Sequence, residues 1–359
     1  MRVSILGAGS IAFGMAAYLA KAGHDPMLWS PSGERTRALA DGADLTATGA
    51  LEFTGPIRIA ADCEDAVTSA DVIVVAMPGY GHKAAFDAAL PHLRPGQPVI
   101  ISSHCSFGAL YLSRGLAARG VELPISVWGT TLLTGRQQPD LRSVLVNTVR
   151  QKVDIATLPK SAIDTGHALC TELFGDRFVQ RDGLLAIALS NLNPQNHLGI
   201  ALLNLTRMEK GETWGQGDNI TPTVGRVIEA LDEERLAIAA TLGLSVRTVR
   251  EHFSLSFHVP MGSVSDMNQQ MHAEGRGGFG PTTVESRYIF EDVPYGLVPT
   301  SLLGRLAGNP TLLHDAGIAM MSAATGRDLP SENDLLPALG LDSLSLDEVV
   351  ALCESGYQD

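Results

Sequence analysis

Cysteine is scarce in this chain of 359 residues: Cys63, Cys105, Cys170 and Cys353 are its only four. They are scattered, with no C-x-x-C pair and no spacing that would gather metal ligands, which argues against a disulfide framework and predicts no bound metal. Free thiols point to a reduced, cytoplasmic setting. Positive charge is also in the minority, with 26 Lys and Arg against 39 Asp and Glu and a net charge of −13. Nucleic acid and anionic membrane surfaces are thereby disfavoured as partners. Hydrophobic residues make up 45% of the chain, yet no apolar run approaches the roughly 20 residues of a membrane span. Internal repeats and low-complexity tracts are absent. The length predicts about two domains, each with ample chain for a core.

What is present starts at the N-terminus. Val3-Ser4-Ile5-Leu6 reads as a strand and Gly7-Ala8-Gly9-Ser10-Ile11-Ala12 as a G-x-G-x-x-A turn. Phe13 to Ala22 is an Ala-rich helical stretch closed by Gly23, and Met27-Leu28-Trp29 is the next strand. Gly7 permits the tight turn, Gly9 leaves room for a pyrophosphate, and Ala12 lets the helix pack closely on the strand. The N–H groups around Ser10, Ile11 and Ala12, with the positive end of the helix dipole, would face the phosphates. Arg2 before an apolar run is also how a secretory signal begins, but the two glycines and the continuation through Asp25 to Ser30 oppose that reading.

The second strand of such a unit ends in an acid when the ribose carries a free 2′-OH. Here the position is Ser30, followed by Ser32, Glu34, Arg35 and Arg37. Small hydroxyls and a guanidinium suit a 2′-phosphate, so NADP(H) is the expected cofactor and NAD(H) the second choice, with Ser30, Ser32 and Arg35 as its holders. The bland alternative makes Arg35 and Arg37 solvated residues of a surface helix.

Further strand signals lie at Pro56 to Ala60, Asp71 to Ala76 and Gln97 to Ser102, alternating with helical runs such as Lys83 to Leu90. The fold class expected is α/β, a doubly wound parallel sheet of Rossmann type followed by an all-α part. Ligands in such sheets lie beyond the carboxyl ends of the strands, which puts Met77 and Pro78 in the cofactor cleft and His82 and His104 at its lip. Cys105 beside His104 is not expected to be a nucleophile, since adjacent residues of an extended segment face opposite ways. Ser143 to Val149 and Lys152 to Leu158 read as a hairpin-like pair, with a helix at Ser161 to Leu173 after it. The expected division is a dinucleotide-binding domain over 1–182 and a helical substrate and catalytic domain over 183–359. Within the latter, Ser345-x-x-Glu348 reads as a capping box opening a short helix.

Leu184 to Glu209 reads as one largely buried helix, bent near Pro194. Ser190, Asn193, His197 and Asn204 recur on it at three- and four-residue spacing and form a polar stripe. A polar stripe on a buried helix must meet partners or a ligand, which makes His197, together with Asn193, the candidate catalytic pair. The second informative run is Arg287-Tyr288-Ile289-Phe290-Glu291-Asp292, continuing to Pro299. An Arg and two acids in an apolar setting suit either a pocket or a structural salt bridge.

With Ile220-Thr221-Pro222-Thr223-Val224-Gly225 and the helix from Asp232-Glu233-Glu234-Arg235, these runs resemble the opine dehydrogenases, most closely the bacterial carboxyethyl-norvaline type. The likeness covers nearly the whole chain, and the stretch from Glu291 through Gly296 to Pro299 is its most specific part. Enzymes of this family condense an α-keto acid with the amino group of an amino acid or amine and reduce the imine with a nicotinamide cofactor. The resemblance implies that His197 is the acid/base, Asp292 the carboxylate that orients it, and Arg287 the clamp on the keto-acid carboxylate. It also implies small-molecule partners, and it is compatible with a homodimer. Ser30 is a departure, since relatives often carry an acid there, and Pro194 is another. Trp214, Arg207, Glu209 and the segment Gly275 to Gly280 would shape an amino-donor pocket or lid, the last being equally readable as a surface loop. Two other readings stay open: a plain keto-acid reductase, and an NADP(H) sensor without turnover.

Overall fold

The computed structural model describes residues 1–358. It divides into two compact units, one comprising Met1–Ala188 with the segment from Asp347 onward, the other Leu189–Leu346.

The first unit contains twelve strands. They are Arg2–Leu6 (β1), Asp25–Trp29 (β2), Leu45–Gly49 (β3), Phe53–Gly55 (β4), Arg58–Ile59 (β5) and Val72–Val75 (β6). Val99–Ile101 (β7), Ile125–Trp128 (β8), Leu133–Gln137 (β9), Ser143–Val149 (β10), Val153–Leu158 (β11) and Phe178–Gln180 (β12) follow. Eight of them form one sheet in the order β12-β11-β8-β7-β6-β1-β2-β5. All its pairings are parallel except β8 with β11. The stretch β5-β2-β1-β6-β7-β8 is the doubly wound order of dinucleotide-binding sheets, with its switch point between β1 and β6. Val72 to Val75 are buried side by side, as in a strand covered on both faces.

The other four strands form a smaller sheet, β4-β3-β10-β9. Helix Ser10–Lys21 shares one hydrophobic core with both sheets, which joins Ile5, Phe13, Met15, Leu133, Val144 and Val146. Gly14 is where the small sheet comes closest: a Cβ there would lie 2.6 Å from a methyl of Leu133. The hairpin expected of Ser143 to Val149 with Lys152 to Leu158 does not form. β10 pairs with β3 and β9, whereas β11 pairs with β8 and β12 in the large sheet. The burial patterns explain the split. β10 buries one face at Val144 and Val146, while β11 is buried from Ile155 through Leu158 as an interior strand must be.

The second unit is helical. Its core joins Leu198, Ile200, Ile228, Leu231, Val293 and Met321, among others. The longest helix, Pro222–Thr241, carries the Asp232 to Arg235 cluster, and that cluster is structural. The Arg235 side chain is 1% exposed and paired with Asp232, and it donates to the carbonyls of Leu189 and Arg247. Asp232 also accepts the Val249 N–H, and Glu234 accepts from Leu313 N and from His314.

The single helix expected from Leu184 to Glu209 is three: Gly183–Ala188, Asn193–Leu203 and Leu205–Glu209. Pro194 does not bend a continuous helix but sits in the first turn of a new one, where a missing N–H costs nothing. The boundary read at residue 182 also differs from the observed units. The helix Leu346–Ser355 buries Val349 and Cys353, and just beyond it the Tyr357 N–H donates to Ser113 Oγ at 2.9 Å. These contacts account for the grouping of the last segment with the first unit. No helix among the described residues is long and apolar enough to cross a membrane.

Candidate active site

In the first unit the glycine turn lies at the switch point of the sheet. Gly7 has φ +145°, a conformation that favours glycine, and a Cβ there would lie 2.3 Å from the Ala76 carbonyl oxygen. Its N–H donates to the Trp29 carbonyl at 2.7 Å, so this one residue ties together the ends of β1, β2 and β6. Gly9 starts helix Ser10–Lys21, and no side chain caps the N-terminal N–H groups. Ala12 is fully buried beneath the turn, while Ser10 and Ile11 are half-buried. Met77 and Pro78, also half-buried, follow β6, and Pro78 precedes helix Gly79–Ala89. Open N–H groups beside a glycine that no larger residue could replace fit a dinucleotide phosphate.

At the end of β2, the Ser30 hydroxyl is buried and has no hydrogen-bond partner. Ser32 and Arg35 are exposed. The Arg35 guanidinium lies 3.9 Å from where a Cβ of Gly9 would be. With Ser10, Arg35 lines an open groove of about 460 Å³ whose far wall is Gly135, Arg136, Gln137, Gln138, Pro139 and Leu141. The sequence offered no signal for that wall, because these residues are remote from the turn in the chain and belong to the smaller sheet.

His82 and His104 are not lip residues: they are 0% and 1% exposed. A helix turns His82 inward, where its Nε2–H donates to the Met77 carbonyl at 3.1 Å and its Nδ1 faces Cys105 Sγ at 3.7 Å. Burial pushes its pKa down to about 4. His104 is pushed down to about 3 by burial and then by His82 nearby. Both are neutral braces of the loops that follow β6 and β7.

In the helical unit, His197 on helix Asn193–Leu203 meets Asp292, with Nδ1 to Oδ2 at 2.8 Å. The two side chains are 17% and 10% exposed. Asp292 stands between helix Arg287–Phe290 and a π-helical turn, Val293–Leu297. Such turns are rare and concentrate at functional sites. A close approach sets this junction against the histidine helix: a Cβ on Gly296 would lie 2.2 Å from Pro194 Cγ. The two departures from a plain helix, Pro194 and the π turn, therefore pack on one another.

The imidazole is also covered by Tyr288, whose ring stacks on it at 3.6 Å between centroids and 7° between planes. The Tyr288 hydroxyl donates to Gln216 Oε1 at 2.6 Å. Burial, then the Asp292 charge, raises its pKa to about 12, so it stays a neutral phenol. Tyr288 stood inside the informative run but had no role read for it, since a stacking contact across two helices leaves no trace in spacing.

The other expected site residues flank this trio. Asn193 is exposed one helical turn before His197, and its N–H is accepted by the Asn191 side chain. The Arg287 side chain is 70% exposed, with Nε 2.5 Å from Glu291 Oε2. Trp214 is buried and donates to the Pro281 carbonyl, packing closely against Gly280. The segment around Gly277 and Gly278 accepts from Gln216 and Gly217 backbone N–H groups, which ties it to the loop that holds Tyr288.

Comparison with known proteins agrees with both halves. The profile described as "NAD/NADP octopine/nopaline dehydrogenase, alpha-helical domain" matches residues 180–325, and the one described as "NADP oxidoreductase coenzyme F420-dependent" matches residues 2–103. An opine dehydrogenase of Arthrobacter sp. (strain 1C) is 33% identical over 349 residues, which is 95% of this chain and 96% of that protein. The fold is shared with octopine dehydrogenase in complex with NADH and agmatine, at TM-score 0.83 and 14% identity over the full length of both chains. It is shared also with yersinopine dehydrogenase bound to NADP+, at TM-score 0.71 and 16% identity over 99% of this chain and 98% of that one. A dinucleotide-binding unit, a helical unit with a paired histidine and carboxylate, and kinship along nearly the entire length place this chain in the opine dehydrogenase family of NAD(P)-dependent oxidoreductases.

Proposed function

We propose that this opine dehydrogenase uses NADP(H) by preference and that His197 is its acid/base. The contact that carries the reading is the 2.8 Å bond between His197 and Asp292. The carboxylate accepts the Nδ1 proton, which fixes the tautomer and leaves Nε2 to exchange a proton with substrate. Protonated His197 can give its proton to the keto oxygen as the C–N bond forms and water leaves. In the reverse direction the neutral ring takes a proton back. The cofactor supplies or accepts the hydride. Arg287 holds the keto-acid carboxylate through a planar fork whose orientation Glu291 sets at Nε. Asn193, one turn from His197 on the same helix, is placed to hydrogen-bond the same substrate.

The NADP(H) preference is supported by the absence of a carboxylate at the end of β2, where Ser30 stands, and by Arg35 beside Gly9. Its partners are a small α-keto acid and an amino acid or amine. Four free thiols support the cytoplasm as its compartment. The test is oxidation of NADPH and NADH with pyruvate or glyoxylate across a panel of amino acids and amines. Oxidation that requires both keto acid and amine is expected, faster with NADPH. Oxidation with keto acid alone would make the chain a plain reductase and overturn the proposal.

A further inference from the structure

We infer that the β9–β10 hairpin carries the second half of a clamp on the cofactor's adenosine 2′-phosphate, with Arg136 and Arg35 both lining the groove beside the glycine turn. This rests on the NADP(H) reading above and extends it to a part of the chain outside the doubly wound sheet.

The groove joins Ser10 and Arg35 on one side to Gly135 through Pro139 and Leu141 on the other. In a protein of net charge −13, a dianionic phosphate is repelled unless cations are set aside for it. Many guanidinium groups here are committed to carboxylates, as Arg2 is to Asp71, Arg58 to Asp25 and Arg181 to Asp154. Arg35 and Arg136 belong to the several arginines with no carboxylate partner among the described residues, and these two line this groove. The neighbouring Gln137 lines the groove as well.

The hairpin is held ready for the purpose. Asp140, the acid in its turn, is spent internally, accepting the N–H groups of Arg142 and Ser143 and the Ser143 hydroxyl. The Gln138 amide donates to the Arg136 carbonyl at 3.1 Å. The 2′ position rather than the pyrophosphate is indicated because Arg35 belongs to the loop after β2, where the ribose of a dinucleotide lies.

The experiment is calorimetric binding of 2′,5′-ADP and 5′-AMP to the full chain, with no turnover involved. The wild type should prefer 2′,5′-ADP. Arg136→Gln should weaken 2′,5′-ADP by about tenfold or more, as expected for a hydrogen-bonded charge, and leave 5′-AMP unchanged. Arg136→Lys, which keeps the charge but loses the fork, should fall between. Arg136 is exposed, so these variants keep the fold. A wild type that prefers 2′,5′-ADP and a variant that binds it equally well would overturn the hairpin's role and leave the NADP(H) reading intact. Equal weakening of both ligands would move Arg136 to the 5′-phosphate and overturn the assignment. No preference in the wild type would remove the NADP(H) reading and this inference together.

Discussion

The imidazole of His197 lies flat on the phenol ring of Tyr288, 3.6 Å between centroids, while Asp292 holds its Nδ1 edge. One contact fixes the plane of the ring and the other its rotation, so Nε2 has a single direction. Tyr288 is therefore a positioning residue. Tyr288→Leu should lower kcat by roughly tenfold, within the range for general acid/base catalysis, and shift the pH–rate profile. Tyr288→Phe, which keeps the stack and loses only the bond to Gln216, should restore most of it. Identical profiles for wild type and the Leu variant would leave Tyr288 as packing alone.

His197→Asn should reduce kcat by about two to four orders of magnitude, the usual value of a general acid/base. Cofactor binding should survive, because the dinucleotide turn lies in the other unit. Turnover near that of the wild type would remove His197 from the mechanism.

Arg287→Ala should raise the KM for the keto acid with little change in amine or cofactor use. The Arg287 side chain is largely exposed and its Nε pairs with Glu291 at the surface, so the fold should tolerate its loss. Steady-state kinetics with the keto acid varied is the measurement, and an unchanged KM and kcat would discard the clamp.

Stability should fall on acidification below about pH 6.5. His82 and His104 are neutral in the fold, with pKa values pushed down to about 4 and about 3 from 6.5. Below pH 6.5 the unfolded chain binds protons that the folded chain refuses, so unfolding gains as pH drops toward those folded values. Above 6.5 the two histidines make no pH-dependent contribution. On the order of 1–2 kcal/mol per histidine is at stake at pH 5. Thermal melting at pH 7.5 and 5.0 should show the loss, and His104→Asn should reduce it by about half. A melting temperature that does not change between the two would contradict this account.

The glycine turn was legible in the sequence because it is a local pattern, a turn between strand and helix, whereas the partnership of His197 with Asp292, distant in the chain, was implied only by the family resemblance of two motif runs. What escaped depended on chain partners far apart. β10 and β11 follow one another closely, and their separation into two sheets shows only in alternating against continuous burial. Tyr288 could not be distinguished from its neighbours, since the ring it covers lies on another helix. Arg136 is remote from Arg35 in sequence, and no periodicity joins them. His82 and His104 were misplaced for a related reason: a polar residue after a strand reads as exposed, yet here each imidazole is enclosed by the loop it supports.

The return of the last segment to the first unit makes that unit discontinuous in sequence, with residues 189–346 inserted into it. During synthesis the dinucleotide-binding unit emerges first and is finished last, when Val349 and Cys353 reach their buried places. The entropic cost of closing so long a loop grows only slowly with length, and a helical insert that has already folded shortens the loop further. A single cut after residue 346 would therefore not yield two intact halves: it would spare the helical unit and leave the other with part of its core missing.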